Sequence, residues 1–149
     1  VNLWNSDHQM ITGGTTGVLQ AHPSSAQPVA VCPVPVCPYN QFYIFSNPSS
    51  QGDTTGDVTY CIYNSDTETF GPINTLVTGG GAGVTEGLIL IPGNVSNSWW
   101  LVTHANSSPV SSNRYRCWYI DAAGINPIPQ DSPILLVALR KFIFLMAER

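Results

Sequence analysis

Charge is what this sequence has least of. Asp, Glu, Lys and Arg make up 9% of its 149 residues, against roughly a quarter of an average soluble domain. Five Lys and Arg against nine acids leave a net charge of −4. That excludes the basic footprint that nucleic-acid binding requires. Few charges beside 13 Gly and 12 Pro exclude a helical bundle or coiled coil. Low polarity is equally telling: 43% of the chain is hydrophobic, too much for a disordered tail. No C-x-x-C pair occurs among Cys32, Cys37, Cys61 and Cys117, so the strong zinc and thioredoxin signals are missing. No run of apolar residues is long enough to span a bilayer; the longest lies near the end and is broken by Arg140-Lys141. Neither a leader nor a methionine precedes Val1, so the numbering reads as starting inside a longer chain or after processing.

What is present points to short strands and polar turns. One domain's worth of chain, 10% aromatic, has a surface of Asn, Ser, Thr and Gly in place of Lys and Glu. Up to Gln130, the two bases Arg114 and Arg116 stand against seven acids (Asp7, Asp53, Asp57, Asp66, Glu68, Glu86 and Asp121), a net of −5. Cys32 and Cys37, in C-P-V-P-V-C, are near enough to close a small loop. The two prolines hold that segment extended and tend to keep the sulfurs apart. One disulfide, and four buried thiols packing as small hydrophobes, both remain open readings.

The most informative feature is an internal repeat. A shift of 57 residues lays Val34-Pro35 on Ile91-Pro92 and Asn40 on Asn97. It also lays Phe42-Tyr43-Ile44-Phe45-Ser46 on Trp99-Trp100-Leu101-Val102-Thr103 and Tyr60-Cys61-Ile62-Tyr63-Asn64 on Cys117-Trp118-Tyr119-Ile120-Asp121. No gap is needed from 29–67 to 86–124. Each unit, about 28–85 and 86–130, reads as an apolar strand (Val29–Val36; Leu88–Ile91) followed by two aromatic ones (Phe42–Ser46 and Val58–Tyr63; Trp99–His104 and Tyr115–Ile120). A weak fourth strand is expected at Ile73–Val77. At the N-terminus Val1–Trp4 reads as a strand, and Asn5-Ser6-Asp7 echoes Asn64-Ser65-Asp66, the end of an earlier unit. Three or four antiparallel strands in about 50 residues make one blade of a β-propeller. The expected fold is therefore all-β, about two blades and part of a third. Propellers close with at least four, so a homo-oligomer that completes the ring is expected.

Residues 131–149 stand outside this pattern. Asp131-Ser132-Pro133 reads as an N-cap with Pro at the first helical position, predicting a helix from Pro133 to Glu148, with an apolar strand as the alternative. This tail is expected to cover an edge or an oligomer contact.

In order along the chain, several short motifs resemble those of large exported propeller-repeat proteins of gliding Bacteroidetes. V-N-L-W-N-S-D-H-Q-M is similar to their V-x-V-W-N-x-x-H-x-x-M motif. Ser25-Ala26-Gln27 with Pro35 is similar to S-x-Q-x-x-x-x-V-P, and Asn40–Phe45 to N-x-Y-Y-I-F. Thr85-Glu86-Gly87-Leu88 and Trp100–His104 resemble T-E-K-L and W-x-V-x-H. The resemblance covers residues 1–130 and implies propeller-like repeats and an extracellular or cell-surface location. Two features depart from it: Gly87 stands where Lys is usual, and Cys32 and Cys37 lie outside the pattern.

Candidate chemistry is sparse. There is no G-x-S-x-G elbow or S-x-x-K motif, and Ser24, Ser25, Ser107 and Ser108 read as turn formers. The run Gly79-Gly80-Gly81-Ala82-Gly83 lacks the Lys-Ser/Thr of a phosphate loop and reads as a connection. His22 precedes the first strand of one unit, Glu86 holds that place in the next, and His104 ends the neighbouring second strand. If the first strands line a central channel, these three meet at its mouth as a general base or metal ligands. Asp53, Asp57, Asp66 and Glu68 supply oxygens suited to Ca²⁺, though no complete EF-hand loop is present and turn capping explains them equally well. Trp99, Trp100, Trp118, Tyr43, Tyr60 and Tyr119 can stack on sugar faces or on one another. Two functions are therefore expected: an exported module that binds a glycan or partner through channel-mouth loops, or a Ca²⁺-dependent lactone or ester hydrolase. The second is an analogy to propeller hydrolases, which use a channel metal to polarise a carbonyl.

Overall fold

A computed structural model describes residues 3–11, 19, 21, 27–47, 57–73, 75–77, 84–107 and 110–132. Their secondary structure is all β, as the turn-rich, charge-poor composition predicts. Sheet I contains β1 (Val29–Val34), β2 (Cys37–Ser46), β3 (Thr59–Asn64), β4 (Thr69–Phe70) and β5 (Thr75–Leu76). Sheet II contains β6 (Val84–Pro92), β7 (Trp99–Ser107), β8 (Val110–Asp121), β9 (Gly124–Ile125) and β10 (Gln130–Ser132). Each is an antiparallel meander in which the third long strand carries two short outer pieces, β4 and β5 in one sheet and β9 and β10 in the other.

The registers of the two sheets match row by row. Val31, Ile44 and Cys61 form one cross-strand row of sheet I; Leu90, Leu101 and Trp118 form the corresponding row of sheet II. Pro33, Phe42, Tyr63 and Phe70 correspond to Pro92, Trp99, Ile120 and Ile125. Ala30, Phe45, Tyr60 and Thr75 correspond to Ile89, Val102, Cys117 and Gln130. The shift of 57 holds for the second and third strands. In the first it is 59, since Val29 pairs with Ser46 and Leu88 with Thr103. Pro33, not Pro35, is therefore the counterpart of Pro92, and the gapless alignment is corrected by two residues. The cause lies in the first hairpin. Pro35-Val36 forms a two-residue turn that pairs Val34 with Cys37, and a register irregularity follows, with Pro33 paired to Phe42, so eight residues separate Pro33 from Phe42 where six separate Pro92 from Trp99; the C-P-V-P-V-C segment, expected to be extended by its prolines, folds back. In sheet II residues 93–98 make a longer connection, closed by Gly93 N–H donating to Ser98 O at 2.7 Å. A Cβ at Gly93 would run into the Ser98 side chain.

A third copy of the outer hairpin lies at the N-terminus. Ile11 N–H donates to Leu3 O at 2.9 Å, Gly71 N–H to Ile62 O at 2.9 Å, and Asn126 N–H to Tyr119 O at 2.8 Å. Trp4 pairs with Met10 as Tyr63 does with Phe70 and Ile120 with Ile125. The turns share a mechanism: an Asx side chain caps the backbone two residues on. Asn5 Oδ1 accepts from Asp7 N, Asn64 Oδ1 from Asp66 N, and Asp121 Oδ1 from Ala123 N, at 3.0, 2.9 and 2.8 Å.

The core lies between the sheets. Sheet I contributes Ala30, Cys32, Tyr43 and Phe45, with Tyr60 and Ile62 beside them; sheet II contributes Leu88, Leu101, Trp118 and Ile120, with Leu90, Trp99 and Ile125. Side chains alternate along a strand, so these are single faces, and they are not equivalent faces. The inner face of sheet I corresponds in register to the outer face of sheet II. The sheets therefore stack head to tail, not face to like face. The outer face of sheet I repeats the arrangement one step earlier: buried Ile44 and Cys61 are covered by Leu3 and Leu19.

The tail boundary is also corrected. Gln130, Asp131 and Ser132 pair with Cys117, Arg116 and Tyr115, so the pairing of the second unit runs through Ser132. A ladder partner satisfies their backbone, and Arg116 holds Asp131. The expected helix over 133–148 lies outside the described residues.

Candidate functional site

The strongest constellation of polar groups lies where the first strands of both sheets begin. Leu88 N–H donates to Gln27 O at 3.1 Å, bringing the start of β6 against the residues that lead into β1. Beside it Val84 pairs with Ala105 and Leu88 with Thr103. Thr85, Glu86 and Gly87 therefore stand opposite the single residue His104, a bulge of the kind that re-aims a strand beside a site. Gly87 supplies its conformation with φ +142°, a region that favours glycine.

His104 is half-buried. Its ring meets Tyr115, its cross-strand partner, edge-on with centroids 5.5 Å apart. The register thus puts the Glu86 backbone and His104 on neighbouring strands. His22 lies outside the described residues.

Just inside this end the two sheets solve one polar problem differently. In sheet I, Ser46 and Thr59 are buried and their hydroxyls bond each other at 3.0 Å. Asn47, also buried, donates its N–H to Pro28 O at 3.0 Å. In sheet II the corresponding residues are Thr103 and Arg116. Arg116 turns to Asp131, with Nε to Oδ1 at 2.9 Å and Nη2 to Oδ2 at 3.1 Å. Among the described residues, buried Thr103 Oγ1 has no hydrogen-bond partner. Hydrogen bonds from Arg116, and then its charge, hold the Asp131 carboxyl below the usual range. The sequence carries no signal for this pair, because sheet I has Thr59 and Leu76 in its place.

The proposed calcium ligands do not converge. Asp57 precedes β3, while Asp66 and Glu68 follow it in the turn to β4. The six residues of β3, at about 3.3 Å each, put roughly 20 Å between these ends. Asp66 Oδ2 accepts from Asn40 Nδ2 at 2.9 Å, and Glu68 Oε1 from Asn5 Nδ2 at 3.2 Å. Both act as ties between the turn and its neighbours. Asp53 lies outside the described residues, and among those described no group of three or more His, Cys, Asp or Glu side chains could hold a metal ion.

All four cysteines are free. Burial pushes the Cys32 thiol up to about 12 and the Cys61 and Cys117 thiols up to about 11, with Asp131 adding to the rise at Cys117. A thiol so shifted stays protonated at neutral pH and is a poor nucleophile. The aromatics divide by face. Tyr43, Phe45 and Tyr60 form one contact cluster inside, and Trp118 is fully buried. Trp100 and Tyr119 stack at 4.8 Å on the outer face of sheet II.

No protein-family model, curated protein or solved structure matches this chain.

Proposed function

We propose that the chain is an exported module of β-propeller type that binds a ligand or partner at the end where β1 and β6 begin. The observation that carries this reading is the bulge at Thr85–Gly87 opposite His104, built where the first strands of two stacked sheets adjoin. Adjacent first strands are what a channel lined by blades requires. The sequence puts one carboxylate residue, Glu86, in this bulge, and its backbone stands opposite His104; residues of these two types supply hydrogen-bonding groups suited to a polar ligand such as a glycan. The test is binding of the full chain to an immobilised glycan panel. Glu86→Gln and His104→Ala should each abolish the signal while the melting temperature holds. No binding to any glycan, or binding unaffected by both variants, refutes this reading.

The same pair of residues supports a second reading, a Ca²⁺-dependent hydrolase of lactones or esters, in which Glu86 or His104 assists attack by water. The separation of Asp57 from Asp66 and Glu68 removes that set as a common calcium site, so the metal would need ligands at the mouth. Turnover of acyl lactones or short-chain esters that is lost with EDTA and in Glu86→Gln supports it. Absence of turnover on both substrate classes leaves the binding module.

A further inference from the structure

The head-to-tail stack has two unlike ends, and each carries apolar residues that are buried at the equivalent position elsewhere in the molecule. At the first end are Trp4, 60% exposed, and Met10, 46% exposed. Their counterparts pack inside: Tyr63 and Phe70 with the cluster around Ile44 and Cys61, and Ile120 and Ile125 with the main core. At the other end is the outer face of sheet II, where Val102 is already buried at 2% exposure but Ile89 is 49% exposed and Trp100 and Tyr119 are half-buried. Their counterparts in sheet I are buried Ala30 and Tyr43 and partly buried Ile62, packed in the intersheet core.

The same interface thus occurs twice within the chain. Leu3 sits on the Ile44–Cys61 face of sheet I. Ile62, the register counterpart of Leu3, belongs to the core with Leu101 and Trp118, which occupy the equivalent face of sheet II. An interface whose two sides differ does not terminate itself; it propagates until a ring closes or a filament forms.

We propose that the outer face of sheet II, around Ile89, Trp100 and Tyr119, seats the Trp4–Met10 end of a second copy of this chain. The occupant follows from continuity with the intersheet interface: the part of this face left open around Ile89 and Trp100 belongs to the third instance of a surface already covered twice by a sheet of the same kind. The proposal uses only the stacking and stands whether or not the mouth binds a glycan.

The experiment is sedimentation velocity with the full chain and two charged variants at micromolar concentration. Ile89→Arg blocks one end and Trp4→Arg the other. Both residues are about half-exposed or more, so both variants keep the native melting transition. The wild type sediments as an oligomer. Each variant alone is a monomer. An equimolar mixture forms a one-to-one heterodimer, since each variant keeps the end that the other needs. A monomeric wild type overturns the proposal, as does a variant that still self-associates alone or a mixture that stays monomeric. A wild type that associates only after removal of residues 133–149 assigns the face to the chain's own tail and also overturns it. Glycan binding is read separately, so its failure does not bear on this result.

Discussion

Sheet I and sheet II share one register and hide opposite faces. Tyr43 and Phe45 point into the core, whereas Trp100 and Val102, their counterparts, lie on the far side of sheet II. Leu101 and Trp118 point inward, whereas Ile44 and Cys61 lie in a separate cluster under Leu3 and Leu19. A strand covered on one side alternates apolar and polar residues; one covered on both sides reads as an unbroken apolar run. F-Y-I-F and W-W-L-V are such runs. They announce that both faces are to be covered but carry no information about which neighbour covers which.

The largest test of this contrast is at paired positions. Trp118→Ala should destabilise by about 3–5 kcal/mol, because that side chain is fully buried between the sheets. Cys61→Ala, at the corresponding site, should cost only about 1 kcal/mol, having far less apolar area to lose. Trp100→Ala, the same residue type on the other face, should cost about 1 kcal/mol in the monomer, since it is only half-buried. Urea denaturation measures all three. Equal costs at Trp118 and Trp100 would break the assignment of faces.

Next in size is the bulge at Thr85–Gly87. Gly87→Ala should lose about 1–3 kcal/mol, because alanine at φ +142° is strained. Calorimetry should show a lowered melting temperature; an unchanged one would mean that the bulge relaxes. The smallest effect belongs to the outer edge. Asp131→Asn should cost at most about 1 kcal/mol, the worth of a solvent-accessible ion pair. Its pH dependence has a definite sign. The Asp131 carboxyl is held below its ordinary range in the fold. Its contribution is therefore present above the unfolded Asp range and is lost as pH falls through the folded value. The wild type and Asp131→Asn should differ at neutral pH and converge in acid. Thr59→Ala, at the position that Arg116 holds in sheet II, should show no such convergence.

These contrasts also mark what could be read from the residues. The aromatic strands and the Asn5, Asn64 and Asp121 turns were legible because strand content and Asx capping are local properties. The first-strand register was not, because the irregularity between Pro33 and Val34 puts two more residues into the first hairpin than its counterpart in sheet II has. The pairing of Gln130–Ser132 with β8 was not legible because a three-residue outer strand has too little pattern. The Arg116–Asp131 pair was invisible since it depends on which residues β10 meets on β8. At the candidate site, the backbone bulge that sets Thr85–Gly87 opposite His104 was not legible from the repeat. The failure of Asp57 to join Asp66 and Glu68 was not, because closeness in sequence hides the length of an extended strand.

Acrylamide quenching of single-tryptophan chains, on the Ile89→Arg background that keeps the second face uncovered, tests the head-to-tail stack most directly. A chain retaining only Trp118 should emit at short wavelength and resist quenching, and one retaining only Trp100 should be quenched readily. The reverse order would show that the sheets meet through their other faces and would contradict the account.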